Sequence, residues 1–151
     1  MSFFPKHSEG GEQPPTTWND NGFSLHDCYL YGVAWDCRNY SLSLDIDFIV
    51  EWLAPESAES NYSFKVCKSQ LLFKNIDGTR IDLDWEQDAP LAQIRELVRG
   101  ERRETRSGLS QWHWVLELSS PGGEISLWAT GVELTSRDEP KMSPVQSLRI
   151  N

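Results

Sequence analysis

Six carboxylates form the most suggestive pattern in this chain. Asp45 and Asp47 alternate with Leu44, Ile46 and Phe48, Asp82 and Asp84 alternate with Ile81, Leu83 and Trp85, and Glu51 and Glu86 lie further along the same runs. Alternate residues of a strand point to one side, so each aspartate pair presents two carboxylates on one face, roughly 6 to 7 Å apart. If the two strands were neighbours, four carboxylates would converge. Such a group can hold a hard divalent cation through oxygen ligands, or it can meet a basic protein surface. The plainer account is an acidic solvent face that keeps half-buried strands soluble and discourages edge pairing. No segment has the form of a calcium-binding EF-hand loop, and no metal ligand is assigned.

Other chemistries lack their parts. The three cysteines, Cys28, Cys37 and Cys67, have no CxxC spacing, which gives neither a disulfide framework nor a thiolate zinc site. Of the three histidines, only His26 stands beside a carboxylate, Asp27, and neighbours on a regular strand point to opposite faces. There is no GxSxG nucleophile elbow, and Gly122-Gly123 belongs to a hairpin rather than to a phosphate-binding turn. No catalytic residue and no cofactor are assigned, and a non-enzymatic protein is expected.

The elements that must position the carboxylates follow from the patterning. In 151 residues there is room for one domain with a real core, and 38% hydrophobic with 25% charged residues is a globular composition. Leu42, Leu44, Ile46, Phe48, Val50 and Trp52 alternate with polar residues and predict a strand, paired through a turn at Asp36–Asn39 so that Val33 faces Leu42 and Tyr29 faces Ile46. A second hairpin is expected to turn at Asp77-Gly78, setting Leu72 opposite Leu83, and a third at Pro121-Gly122, setting Leu118 opposite Ile125. On the third hairpin Trp128 falls on the reverse face beside Val115 and Val132. Between hairpins two and three, Leu91, Ile94, Leu97 and Val98 recur at helical spacing behind Asp88 and Pro90, with Gly100 as a stop. The expected fold is α+β and mostly antiparallel: three hairpins forming a curled sheet, sandwich or partial barrel, with one short helix. Residues 1–21 read as a flexible leader, 22–136 as a single β-rich domain, and 137–151 as a tail whose last residues could dock as an edge strand.

Charge narrows the partner. Lysine and arginine total 14 against 23 acidic residues, a net charge of −9, which repels nucleic-acid phosphates and anionic membranes. From Asp20 to Ser60 there are eight acidic residues and a single basic one, Arg38. No run approaches the roughly 20 apolar residues of a membrane span, and the N-terminus lacks a basic segment followed by an apolar one, so a cytoplasmic protein is expected.

The run from His26-Asp27 through Leu44 to Trp52, with Gly123-Glu124-Ile125 and Ala129-Thr130-Gly131, resembles a group of small uncharacterised bacterial β-rich proteins. These are similar in style to immunity proteins of bacterial toxin systems, which neutralise a toxin by binding it. The resemblance spans residues 25 to 134 as a pattern and carries over no catalytic residue. It implies what the charge independently suggests, an acidic binding protein that engages a basic partner protein; the strand patterning, not the resemblance, gives Asp45, Asp47, Glu51, Asp82, Asp84 and Trp128 as the expected contact residues. The alternative is a small-ligand or divalent-metal-binding β-barrel protein with hydrolytic activity. A homo-oligomer joined through Trp128 and a sheet edge is a third reading.

Overall fold

A computed structural model describes residues 24–57, 61–84 and 91–148, together with the backbone of residues 16–17. Among these the secondary structure is entirely β: β1 (Thr16–Thr17), β2 (Tyr29–Asp36), β3 (Ser41–Leu53), β4 (Ser63–Lys74), β5 (Asp77–Leu83), β6 (Ala92–Glu104), β7 (Ser110–Ser120), β8 (Gly123–Ala129), β9 (Gly131–Ser136) and β10 (Lys141–Ser143). All pairings are antiparallel, and the strands form a single ten-stranded sheet with the open order β10-β4-β3-β2-β6-β7-β8-β5. Two strands lie off this path, β1 beside β6 and β9 beside β4.

This corrects the expected α+β fold, with its curled sheet, sandwich or partial barrel and its helix. The segment read as the helix is the long strand β6. Its pairing with β7 slips between Gln93 and Ile94, between Ile94 and Glu96, and between Arg99 and Arg102. The first slip leaves its extra residue on β7, but each of the other two inserts one into β6 and resets which side faces inward, so the buried positions Ile94 and Leu97 are three apart and imitate a helical period. Gly100 does not stop the element. A Cβ there would sit 3.3 Å from the His113 carbonyl, and the glycine lets the two backbones close around the last of these bulges.

The hairpins keep their faces but not all their partners. β2 and β3 pair with Val33 opposite Leu44 and Trp35 opposite Leu42, a slide of two residues that preserves which side is apolar. A bulge between Leu30 and Gly32 then substitutes Leu30 for Tyr29 opposite Ile46. β7 and β8 show the same two-residue slide, with Leu116 opposite Ile125 and Leu118 opposite Gly123. The second hairpin does not form: β5 pairs with β8, not with β4. The chain turns earlier, at Asn75 (φ +51°), where the Ile76 amide donates to the Tyr40 carbonyl. Gly78 does adopt positive φ (+57°), but at a bulge between Asp77 and Arg80 rather than at a turn.

The apolar stripe of β3 is buried from Leu42 to Phe48 as its alternation requires, together with Phe73 and Leu71 of β4, Trp112, Trp114 and Leu116 of β7, and Ile125 and Leu127 of β8. Phe73 meets Trp114 edge-on with ring centroids 6.1 Å apart, so the β3–β4 and β7–β8 portions share one core. The segment 123–136 links them: β8 pairs with β7, the chain bends at the buried Thr130, and β9 pairs with β4. At the bend the Thr130 amide and hydroxyl both donate to the Lys74 carbonyl, which ties the corner to β4.

Candidate functional site

The structure separates the two aspartate pairs. Strands β2, β6, β7 and β8 lie between β3, which carries Asp45 and Asp47, and β5, which carries Asp82. Asp45 is half-buried with Arg137 at 4.0 Å. Asp47 is 0% exposed. Its Oδ2 accepts hydrogen bonds from the Tyr31 hydroxyl (2.9 Å), the Leu148 amide (2.8 Å) and the Ser147 hydroxyl (3.5 Å), and Tyr31 and Ser147 also contact each other. The bulge in β2 aims Tyr31 at this carboxylate, and the segment after β10 closes over it. Asp47 is therefore a structural anchor for the end of the chain rather than an open contact. Glu51 is exposed at the far end of β3, beside Trp52.

Asp82, Asp84 and Trp128 belong to a different surface, the outer side of β6, β7, β8 and β5. Directly opposite residues of antiparallel strands point the same way. The registers place Glu96 opposite Glu117, Glu117 opposite Glu124, and Glu124 opposite Asp82. Four carboxylates thus form a row across four adjacent strands, with Cβ spacings of about 4.5–5.5 Å per step. Asp84 lies just beyond β5, its amide donating to the Gly122 carbonyl. Among the described residues no ion pair involves any of these five carboxylates. Like charges placed directly opposite one another destabilise a sheet, so this row is held in place by the core on its other side.

Along the same face the next row holds Val98 opposite Val115, Ser126 and Arg80, and beyond it His113, Trp128 and Asp77. Trp128 is half-buried because its ring is covered. The Arg103 guanidinium stacks 4.0 Å from the ring centroid, His113 packs at 5.0 Å, and the Gly78 backbone lies close enough that a Cβ there would meet the indole at 3.3 Å. Arg103 is fixed in turn by Gln111 (3.1 Å) and Asp77 (3.3 Å). The face therefore runs from an acidic row, over a middle of two valines, a serine and the exposed Arg80, to an aromatic end.

Two open clefts flank the tip of the β2–β3 hairpin. The apolar one, about 550 Å³, is lined by Trp35, Tyr40, Ile76 and Ile81 with Cys37 at its rim, and Trp35 and Tyr40 are 71% and 66% exposed. The alternation of β2 points Trp35 toward the core side, but the hairpin outruns the core there, so sequence phase alone does not reveal this exposure.

The remaining reactive groups are quiet. Burial pushes the Cys28 thiol up to about 12, where it carries no thiolate at neutral pH, and burial also raises Cys67. His26 and Asp27 do meet, at 3.5 Å, because Asp27 adopts positive φ (+66°). The His26 Nδ1 donates to the Arg95 carbonyl (2.8 Å), so both ring nitrogens face oxygens and the imidazole ties the 24–28 turn to β6. Among the described residues no three His, Cys, Asp or Glu side chains come together in a way that could hold a metal ion, and no helix is long and apolar enough to cross a membrane.

No protein-family model matches the chain, and no curated protein matches it. Among solved structures it is similar to an uncharacterised protein from Neisseria gonorrhoeae, at 13% identity and a TM-score of 0.43, over 81% of this chain and 97% of that one.

Proposed function

We propose that this chain is a non-enzymatic binding protein that engages a cationic partner protein through the outer face of β6, β7, β8 and β5. The observation that carries the reading is the row Glu96, Glu117, Glu124 and Asp82: a sheet bears the repulsion of three consecutive like-charge pairs, and a basic surface laid across them relieves it. Val98, Val115 and Trp128 supply apolar contact beside the charges, and the net charge of −9 steers a cation toward them. Binding and neutralising a basic toxin, in the manner of an immunity protein, is the role this chemistry suits best.

The test compares two variants of equal charge, Glu117→Gln/Glu124→Gln on the face and Glu51→Gln/Glu56→Gln away from it. The probe is a synthetic peptide of alternating lysine and valine, titrated at low and at moderate salt. The face variant is expected to lose about tenfold in affinity, the control to lose little, and added salt to weaken the wild type. Equal losses in both variants would reduce the effect to net charge and reject the face. The same face variant should be slightly more resistant to urea than wild type, by about 0.5 kcal/mol, because all three like-charge contacts of the row are gone. A drop in its stability would show that the carboxylates support the fold instead.

A further inference from the structure

The acidic row ends at β5, which lies at the end of the strand order with β8 as its one partner among the described residues. Among the described residues no strand pairs with its other edge, and such an edge is a template for another strand. Three features of β5 decide which strand fits. Arg80 and Asp82 are exposed and point to the face of the acidic row, and no ion pair involves either among the described residues. Ile81 points to the opposite face, is 53% exposed, and borders the cleft that also holds Trp35 and Tyr40. The strand is also self-complementary in one register only.

Two copies of a strand that pair antiparallel about a two-fold axis keep a common outer face only if a residue sits opposite its own counterpart. Centring the axis on Arg80 sets arginine against arginine, and centring it on Asp82 sets aspartate against aspartate. Centring it on Ile81 sets Arg80 of each copy opposite Asp82 of the other, Ile81 opposite Ile81, and Thr79 opposite Leu83.

We propose that a second copy of this chain pairs with β5 across a two-fold axis at Ile81, so that Arg80 of each copy lies directly opposite Asp82 of the other. The row Glu96, Glu117, Glu124, Asp82 then continues into an arginine, which supplies the cross-strand cation that the single chain does not place there. On the reverse side the paired Ile81 side chains close over the mouths of the two apolar clefts. This goes beyond the partner-binding reading and does not depend on it: the half-buried Glu96 and Glu117 and the exposed Glu124 keep their places on the outer face of the merged sheet, and the measurement below uses no partner.

The chain mass in solution is measured by sedimentation equilibrium at about 0.1 mM, where even weak dimers populate. Wild type is expected at twice 17.3 kDa. Arg80→Asp and Asp82→Arg each create two like-charge contacts and are expected to weaken the dimer at least tenfold. An equimolar mixture of the two single variants restores both attractive pairs and is expected to recover the doubled mass as a heterodimer, which also shows that each variant is folded. A wild type that remains at 17.3 kDa overturns the proposal. So does a dimer indifferent to both substitutions, or a failure of the mixed variants to associate.

Discussion

Asp47→Ala is expected to cost about 3 kcal/mol of stability and to release the end of the chain from the sheet. The carboxylate is wholly buried, and its Oδ2 collects the Tyr31 hydroxyl, the Ser147 hydroxyl and the Leu148 amide. Alanine removes the acceptor but leaves the donors, and each buried donor without a partner costs roughly 1–3 kcal/mol. The chain can lower that cost by swinging residues 144–148 into water, where the amide and hydroxyl are solvated again. The loss should therefore appear in two places: a lower urea midpoint, and faster hydrogen exchange or proteolysis confined to residues 141–148. Asp47→Asn keeps one oxygen acceptor and should cost only about a third as much. An alanine variant with unchanged midpoint and an equally protected terminus would remove Asp47 from the anchoring role.

The second large effect is expected at Gly123→Ala. Gly123 has φ +114°, and a Cβ built on it would lie 2.1 Å from the Asp82 carbonyl oxygen and 3.0 Å from the Leu83 Cα. Backbone cannot yield to that contact as a flexible side chain can, so β8 and β5 must part at this end. Gly122 is the natural control: its φ is +101°, yet nothing lies within 4 Å of the position a Cβ would take. Gly122→Ala should therefore show only the conformational cost of positive φ, about 1 kcal/mol, whereas Gly123→Ala adds the clash and reaches about 3 kcal/mol. Amide exchange at Ile81–Leu83 should accelerate in the second variant alone. Equal destabilisation of the two variants would mean that the contact relaxes freely.

How much of this was legible in the residues depended on whether alternation ran unbroken. β3 read correctly from Leu42 to Phe48 because nothing interrupts it over those residues. β6 did not, because inserted residues shift its phase and turn a strand into an apparent helical repeat. Faces survived a two-residue slide in both recognised hairpins, but opposite partners did not. That is why the candidate face stayed hidden: the expected turn at Pro121-Gly122 sets Glu117 opposite Ser126, whereas the observed register sets it opposite Glu124. Asp77-Gly78 carried a true signal for positive φ, and the error lay in equating that conformation with a turn. The pairing of β5 with β8 spans too great a separation in sequence for any local pattern to announce it. Asp47 had the phase of a surface residue, and its burial comes from the segment near residue 148, a hundred positions away.

The bend at Thr130 also has a consequence for biosynthesis. One edge of β4 is completed by β9 and β10, and neither exists when β4 leaves the ribosome. The completing residues emerge about sixty positions later, several seconds at ordinary translation speeds of about 5–20 residues per second. During that delay the nascent chain displays the edge of β4, including Leu71 and Phe73, with nothing to cap it. The newborn protein should accordingly be a better client for a ribosome-associated chaperone than its finished, highly charged surface suggests.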